Sequence, residues 1–292
     1  MTTLSIVVPA YNEGKNIYRL LASVAAQRLG PHALKEIVVV ASGCTDNTVQ
    51  EVRRAQAANP KIGLVVQPEK LGKASAVNLG LSRCAGDIVC LAGADLLLEP
   101  GAIAGMLDCL ANPAVGLVGA HPVPVNPRRT LSGYFAWFLW EMHHRVSLLQ
   151  PKAGELICFR NQVKQLPPDT AVDEAWLESF FQARGLKVAY APQAIVRNKG
   201  PDTLSEILAQ RVRIHLGHYW LARRGYQPST TRFAPLFQAV HGLLAERPLE
   251  APLLLGCAFL EGLTRLLARI RLCLGHKNPF NWQALQSTKE LP

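Results

Sequence analysis

The chain has 292 residues, of which 49% are hydrophobic and 18% charged. That composition excludes a mostly disordered chain and leaves ample sequence for one or two cored domains. Thirty-one Lys and Arg against 21 Asp and Glu give a net charge of +10, which favours anionic partners without choosing among nucleic acid, anionic lipid and phosphorylated small molecules.

The elements alternate from the start. Leu4 to Val8 is a short apolar, β-branched run and predicts a buried strand. Ile17, Leu20, Leu21, Val24 and Ala25 then share one helical face. Glu36 to Val40 predicts a second strand, and Asp46 and Asn47 can cap a helix carrying Val49, Val52 and Ala55. Leu64 to Val66 is a third strand, Lys73 to Cys84 a third helix and Asp87 to Ala92 a fourth strand. This βαβαβαβ order predicts an α/β fold with a mostly parallel sheet flanked by helices. Ligands of such sheets sit outside the carboxyl ends of the strands.

Beyond residue 100 the pattern is mixed. Helices are expected at Gly101 to Leu110, Leu131 to Leu149, Asp173 to Ala183 and Leu204 to Arg224, the last one basic. Strands are expected at Val115 to Ala120, Leu156 to Arg160 and Lys187 to Tyr190, with an irregular loop at Pro122, Pro124 and Pro127. A break from Arg224-Gly225 to Pro228-Ser229 separates a C-terminal helical tail. The tail has no uninterrupted run of about 18 apolar residues, because Glu261 ends the stretch from Ala251 to Leu260. The N-terminus lacks the pattern of a signal peptide, and seven cysteines without CxxC spacing point to reduced thiols in a cytosolic chain.

Four junctions carry candidate chemistry. Pro9-Ala10-Tyr11-Asn12-Glu13 ends the first strand, where Asn and Glu can meet a ligand or simply form a turn. Ser42-Gly43-Cys44-Thr45-Asp46-Asn47-Thr48 follows the second, with Asp46 read as a helix cap. Gly72-Lys73 opens a helix as phosphate sites do, but without the spacing of a P-loop. Gly93-Ala94-Asp95 ends the fourth strand, where a carboxylate can reach a divalent cation or serve a turn.

The order of these pieces resembles family 2 glycosyltransferases with the GT-A fold. The resemblance continues through Pro151 to Arg160, the acidic pair Asp173-Glu174 at a helix start, Gly185 to Ala194, and Gln210-Arg211-Val212-Arg213, which is similar to the QxxR of QxxRW. It covers about residues 3 to 220, and the joint order is more specific than any one motif. It implies a catalytic domain over 1–230, with a nucleotide-binding half over about 1–98 and an acceptor half over 99–230. Residues 231–292 form a helical extension.

The resemblance further implies inverting transfer of a sugar from a nucleotide-sugar donor to an acceptor hydroxyl. Pro9, Ala10, Tyr11, Glu13 and Ser42 would hold base and ribose, with Lys73 approaching the nucleotide and Asn78 supporting its loop. Asp95 would bind Mn²⁺ or Mg²⁺ on the donor diphosphate, and Glu174 or Asp173 would be the general base. Gln210 and Arg213 would lie near the diphosphate or the acceptor. Glu155 either touches an acceptor hydroxyl or holds its turn. Three departures stand out: Ala41 and Ser42 replace the usual aspartates, the DxD retains only Asp95, and Ile214 replaces the Trp of QxxRW. The last argues for a non-processive enzyme. His218, on the helix with His215, is the preferred histidine to complete a weakened metal site, and His143 and His144 are a second pair nearer the acceptor; the alternative, that both pairs pack on or solvate their helix surfaces, is the one an i, i+3 or adjacent pair favours.

The aromatic run from Gly133 to Trp140 lines an acceptor groove, touches lipid or lies under the sheet. In the tail, Glu261, Arg265 and Arg269 mark a polar stripe on an otherwise apolar helix. Such a helix lies in an anionic membrane interface, packs on a second subunit as a homodimer, or packs on its own domain. The membrane option implies a peripheral protein on the cytoplasmic face and a lipid or glycolipid acceptor. A catalytically silent binding or scaffold protein of the same fold is the alternative. A nucleic-acid-binding role rests on charge alone, without a recognisable motif, so no nucleic-acid partner is expected.

Overall fold

A computed structural model describes residues 1–226, 234–278, 280, 281, 285 and 287–291. Its centre is an eight-stranded sheet of order β3-β2-β1-β4-β7-β6-β8-β5. The strands are β1 (Thr3–Ala10), β2 (Ala33–Ser42), β3 (Ile62–Gln67), β4 (Ile88–Ala92), β5 (Leu97–Leu98), β6 (Val115–Pro124), β7 (Leu156–Arg160) and β8 (Lys187–Asn198). The first four strands are parallel, as the alternation predicts. The expectation of a mostly parallel sheet fails in the second half. There β7 runs antiparallel between β4 and β6, and β5 is antiparallel to β8, while β6 and β8 are parallel. The sheet is therefore mixed. Strand polarity depends on where the chain re-enters the sheet, which residue periodicity does not encode.

Side chains alternate across the sheet, so each strand supplies two cores. Leu4, Ile6 and Val8 of β1 pack under α1 (Ile17–Ala25), α2 (Thr48–Ala58) and α4 (Ala102–Leu110). Val7, Val89, Ile157 and Phe159 face the other way, onto α3 (Lys73–Leu81) and α6 (Asp173–Gln182). β6 and β8 run four and eight residues beyond their expected ends. Pro122 and Pro124, expected in a loop, continue β6 opposite Val196 and Asn198.

A third layer joins α5 (Leu131–Leu149), α7 (Leu204–Arg223), α8 (Ala234–Glu246) and α9 (Ala251–Cys273). Tyr134, Phe138 and Met142 of α5 are buried against Ala239 and Leu243 of α8 and Leu254 of α9. Part of the aromatic helix is thus core, packed both under these helices and against β6 and β8 of the sheet. Val212 and Leu216 of α7 meet Ala268 and Leu272 of α9. The break at Pro228-Ser229 and the boundary at residue 230 lie outside the described residues. The tail's apolar run remains interrupted by Glu261, yet Pro248–Cys273, at 26 residues and mean hydropathy 1.5, is long and apolar enough to cross a membrane.

α9 is inside out. Glu261, Thr264 and Ala268 are buried, whereas Leu255, Phe259, Leu266 and Ile270 are exposed. Glu261 explains the orientation. Its carboxylate accepts hydrogen bonds from Arg211 of α7 (2.9 and 2.6 Å) and from Arg265 one turn on (3.3 Å), and lies 2.9 Å from His215 Nε2. A buried carboxylate needs such partners, and its shorter contacts, to Arg211 and His215, stand on α7. Arg269, the third residue of the expected stripe, is exposed.

Candidate active site

The carboxyl ends of β1, β2 and β4 open on a cavity of about 850 Å³. Pro9, Ala10, Tyr11, Glu13, Ser42, Lys73, Asp95, Glu155, Asp173, Glu174, Gln210, Arg213 and His218 all line it. Every residue expected at the site thus reaches one cavity, although 209 positions of sequence separate Pro9 from His218. The mixed second half of the sheet makes this possible, because β7 lies beside β4 and brings the Lys152–Glu155 loop next to Asp95.

The donor end is built by close backbone approach. Asn12 has φ 53°, and its side chain accepts from Thr45 N (2.8 Å). Asp46 accepts from Gly14 N and Thr48 N (both 3.0 Å), so it is spent tying the β1 loop to the start of α2. Gly43 has φ 61°, and a Cβ there would sit 2.6 Å from Lys70 N. Only glycine allows the β2 turn this close to the third loop. Ser42 Oγ donates to Gln67 Oε1 (2.7 Å). Asn78 exchanges hydrogen bonds with the backbone of Leu166 (2.9 and 2.7 Å), which fixes the loop leading to α6.

Glu13 is buried and hydrogen-bonded to Asn16 (3.1 Å). Burial and the charge of Asp95 push its carboxyl up to about 7. Glu155 behaves alike: burial, Asp95 and Glu174 push it up to about 8. Its φ of 48° is a conformation that costs a non-glycine residue free energy, and such strain concentrates at functional sites. Asn198 donates to its carboxylate (3.2 Å). Asp95, Glu13, Glu155 and Glu174 therefore share one field.

Lys73 lies across this group. Its ammonium is 2.9 Å from Asp173 and 3.0 Å from Glu174. The two carboxylates raise the lysine above its usual range. Among its neighbours, Asp173 is driven up by burial and Glu174, while Lys73 holds Glu174 down against its own burial. Asp173 is the more deeply buried, at 4% side-chain exposure, whereas Glu174 retains 24%. The pair thus differentiates into a buried support and an ionised carboxylate facing the cavity. Arg213 faces the same acids and is lowered to about 10 by burial.

The histidines have other surroundings. Burial holds His218 down to about 3, with His215, Arg211, Lys152 and Arg265 adding to the effect. Among the described residues no three His, Cys, Asp or Glu side chains gather as metal ligands. His215 pairs with Glu261. His143 Nε2 meets Ala153 O (3.3 Å) and His144 Nδ1 meets Tyr190 Oη (2.8 Å), so both serve the fold beside the cavity.

Among the described residues, five further cations line the cavity without having been expected as site residues: Lys70, Lys152, Arg211, Arg265 and Lys289. Lys152, Arg211 and Arg265 stand at the far end of the cavity. Lys289 arrives from the C-terminus, bonding Tyr11 O and the Glu13 carboxylate (both 2.5 Å). Asn281 Nδ2 donates to Lys70 O (3.2 Å), and Phe280 packs on Gly72. The tail thereby lies against the donor end. Nothing near Lys289 in the sequence marks it, since its partners lie 276 and 278 positions away.

Residues 5–159 match the profile of Glycosyl transferase family 2. The chain is 24% identical over 247 residues to the poly-beta-1,6-N-acetyl-D-glucosamine synthase of Staphylococcus aureus (strain COL), covering 80% of this chain and 59% of that protein. It is 23% identical over 234 residues to an N-acetylglucosaminyltransferase of Rhizobium meliloti (strain 1021), covering 73% and 55%. The chain thus spans under two thirds of the length of these curated relatives. Among solved structures, a mannosyltransferase from Pyrobaculum calidifontis in complex with GDP-Man and Mn²⁺ superposes with a TM-score of 0.60 at 26% identity, covering 93% of this chain and 79% of that one. Glucosyl-3-phosphoglycerate synthase from Mycobacterium tuberculosis, in complex with Mn²⁺ and UDP, superposes with 0.55 at 19% identity, covering 78% and 82%. The fold is GT-A, and the chain belongs to glycosyl transferase family 2.

Proposed function

We propose that this chain is a nucleotide-sugar-dependent, inverting, non-processive glycosyltransferase. One observation carries the reading: Asp95, Glu155 and Glu174 converge with Lys73 and Arg213 in one cavity at the carboxyl edge of the sheet. The nucleoside lies against Pro9, Ala10, Tyr11, Glu13 and Ser42. The donor diphosphate lies toward Asp95, with Arg213 and Gln210 on the facing helix. Glu174, ionised beside Lys73, takes the proton of an acceptor hydroxyl as that oxygen attacks the anomeric carbon. Asp173 and Lys73 hold Glu174 in place. Glu155, protonated near neutrality, orients the acceptor.

The donor set suits a hard cation. Asp95 lies beside Glu13 and Glu155, whose carboxyls are raised first by burial and then by its charge, and an anionic oxygen donor there suits Mg²⁺ or Mn²⁺. These ions commonly use one or two carboxylates and complete their shell with substrate phosphates and water. Asp95 would hold the ion. Bound there, it would neutralise charge on the departing diphosphate. His218, surrounded by cations, is not part of this proposal.

The exposed face of α9 supports a peripheral membrane protein. Leu255, Phe259, Leu266 and Ile270 enter the bilayer interface, and exposed Arg269 and Arg271 meet anionic lipid. The free thiols agree with a cytoplasmic face. A homodimer through the same face is the competing arrangement, and it would bring the chain out of a sizing column at twice its mass without lipid.

The test is calorimetric binding of UDP, GDP and dTDP, each with and without Mn²⁺. One nucleotide binding only with metal supports the reading and the role of Asp95. Binding without metal moves charge neutralisation to Arg213. No binding of any nucleotide refutes the proposal and favours a silent scaffold.

A further inference from the structure

The cavity continues past Glu174, and its walls change character there. Four residues along α6, Glu178 accepts from Ala153 N (2.5 Å) and so fixes the Lys152 loop. Around Lys152 stand Arg211 of α7 and Arg265 of α9, with Glu178 and Glu261 as the facing carboxylates. His215 and His218 stand beside them and are held neutral, at about 4 and about 3, chiefly by burial. Glu261 is already engaged by Arg211, His215 and Arg265. Burial and the two arginines pull Lys152 down to about 8. Arg265 Nε is buried and has no hydrogen-bond partner among the described residues. Beyond these cations the wall is apolar, formed by Phe138, Leu139 and Met142 of α5, Val240 of α8 and Ala258 of α9.

Glu178 faces Lys152 and Glu261 faces the arginines, so three cations share two carboxylates and one positive charge is left over. The α7–α9 contact is complete with Glu261, Arg211, His215 and Arg265. Burying one more ammonium beside two guanidinium groups costs free energy that a neutral ligand cannot return. An anion returns it, through charge-assisted hydrogen bonds that are shorter and stronger than neutral ones.

We infer that the acceptor carries a phosphate or carboxylate bound by Lys152, Arg211 and Arg265, about one helical turn (~6 Å) from the hydroxyl that faces Glu174, and an apolar chain along α5, α8 and α9. This rests on the glycosyltransferase reading above and adds the chemical class of the acceptor. The anion comes from a lipid head group or from a soluble phosphorylated molecule, and the experiment separates the two.

The full chain, saturated with the nucleoside diphosphate it binds, is titrated calorimetrically with octyl phosphate, octyl β-glucoside and glycerol 3-phosphate. Octyl phosphate is expected to bind about tenfold more tightly than octyl β-glucoside, the worth of one charge-assisted contact. Lys152→Gln removes that preference, Lys152→Arg restores it, and neither changes nucleotide affinity. Because Lys152→Gln could disturb its loop, its melting temperature is measured beside wild type, and Arg265→Gln gives a second reading from another helix. Glycerol 3-phosphate binding as tightly as octyl phosphate upholds the anion site, overturns the apolar chain and assigns the anion to a soluble acceptor. Weak glycerol 3-phosphate binding upholds it with a lipid acceptor. Equal binding of the phosphate and the glucoside, or of neither while nucleotide binds, overturns the inference. Failure of nucleotide itself to bind refutes the glycosyltransferase reading instead.

Discussion

Glu261→Gln tests how α9 is held. The carboxylate accepts two hydrogen bonds from Arg211 and one from Arg265 and lies 2.9 Å from His215, with Arg211 and Arg265 side chains only 18% and 22% exposed. The amide is nearly isosteric, so little packing is lost. What disappears is the negative charge that Arg211 and Arg265 share. Removing one partner of a buried ion pair costs about 3–5 kcal/mol, because the remaining charges are stranded. For a chain of this size each kcal/mol is worth roughly 2–4 °C in melting temperature, so a fall of about 10 °C is expected by circular dichroism. Adding Arg211→Met should recover part of the loss, since it removes a stranded cation, and hydrogen exchange should show α9 opening first. A melting temperature within about 2 °C of wild type, or a double variant less stable than Glu261→Gln, would refute the argument that this carboxylate orients the helix.

The same cluster predicts acid sensitivity. Burial holds His215 at about 4, below its ordinary 6.5, so the unfolded chain binds this proton first. Stability is full above about pH 6.5 and is lost as pH falls toward 4, by about 3 kcal/mol once the difference is complete, at about 1.4 kcal/mol per pKa unit. An unchanged urea midpoint between about pH 7.5 and 5 contradicts this. Glu174→Gln should lower sugar transfer by about 10²–10⁴-fold with unchanged nucleotide affinity; full turnover would remove Glu174 as the base. Lys289→Met should tighten nucleotide binding by about threefold to tenfold, because its ammonium holds the Tyr11 carbonyl and Glu13 carboxylate that the nucleoside would meet; weaker binding would make Lys289 a donor ligand instead. Phe259→Ser, on a side chain 73% exposed, should reduce flotation with anionic vesicles and leave the melting temperature unchanged. Undiminished flotation would move the membrane contact off α9.

Much of the architecture was legible before any coordinates. The strands from Leu4 to Ala92 and the helices between them follow from apolar periodicity, because a residue's place in a repeat of two or 3.6 already says which face it buries. The order of the Tyr11, Ser42, Lys73, Asp95 and Glu174 segments picked out residues that line one cavity, since the carboxyl edge of a parallel sheet collects successive loops. Tertiary structure alone decided the rest. Whether β7 runs parallel or antiparallel, and so whether Glu155 reaches Asp95, depends on chain re-entry and not on residue pattern. Lys73 could be placed near phosphate from its neighbours, but its ion pair with Asp173 and Glu174 spans 100 positions. In α9 the pattern identified a polar stripe without saying that its Glu261 end turns inward, because an amphipathic helix specifies two faces and not which one meets solvent. That choice was made by Arg211 and His215 on α7, and Lys152 and Lys289 acquired their roles in the same way, from partners that only the fold brings near.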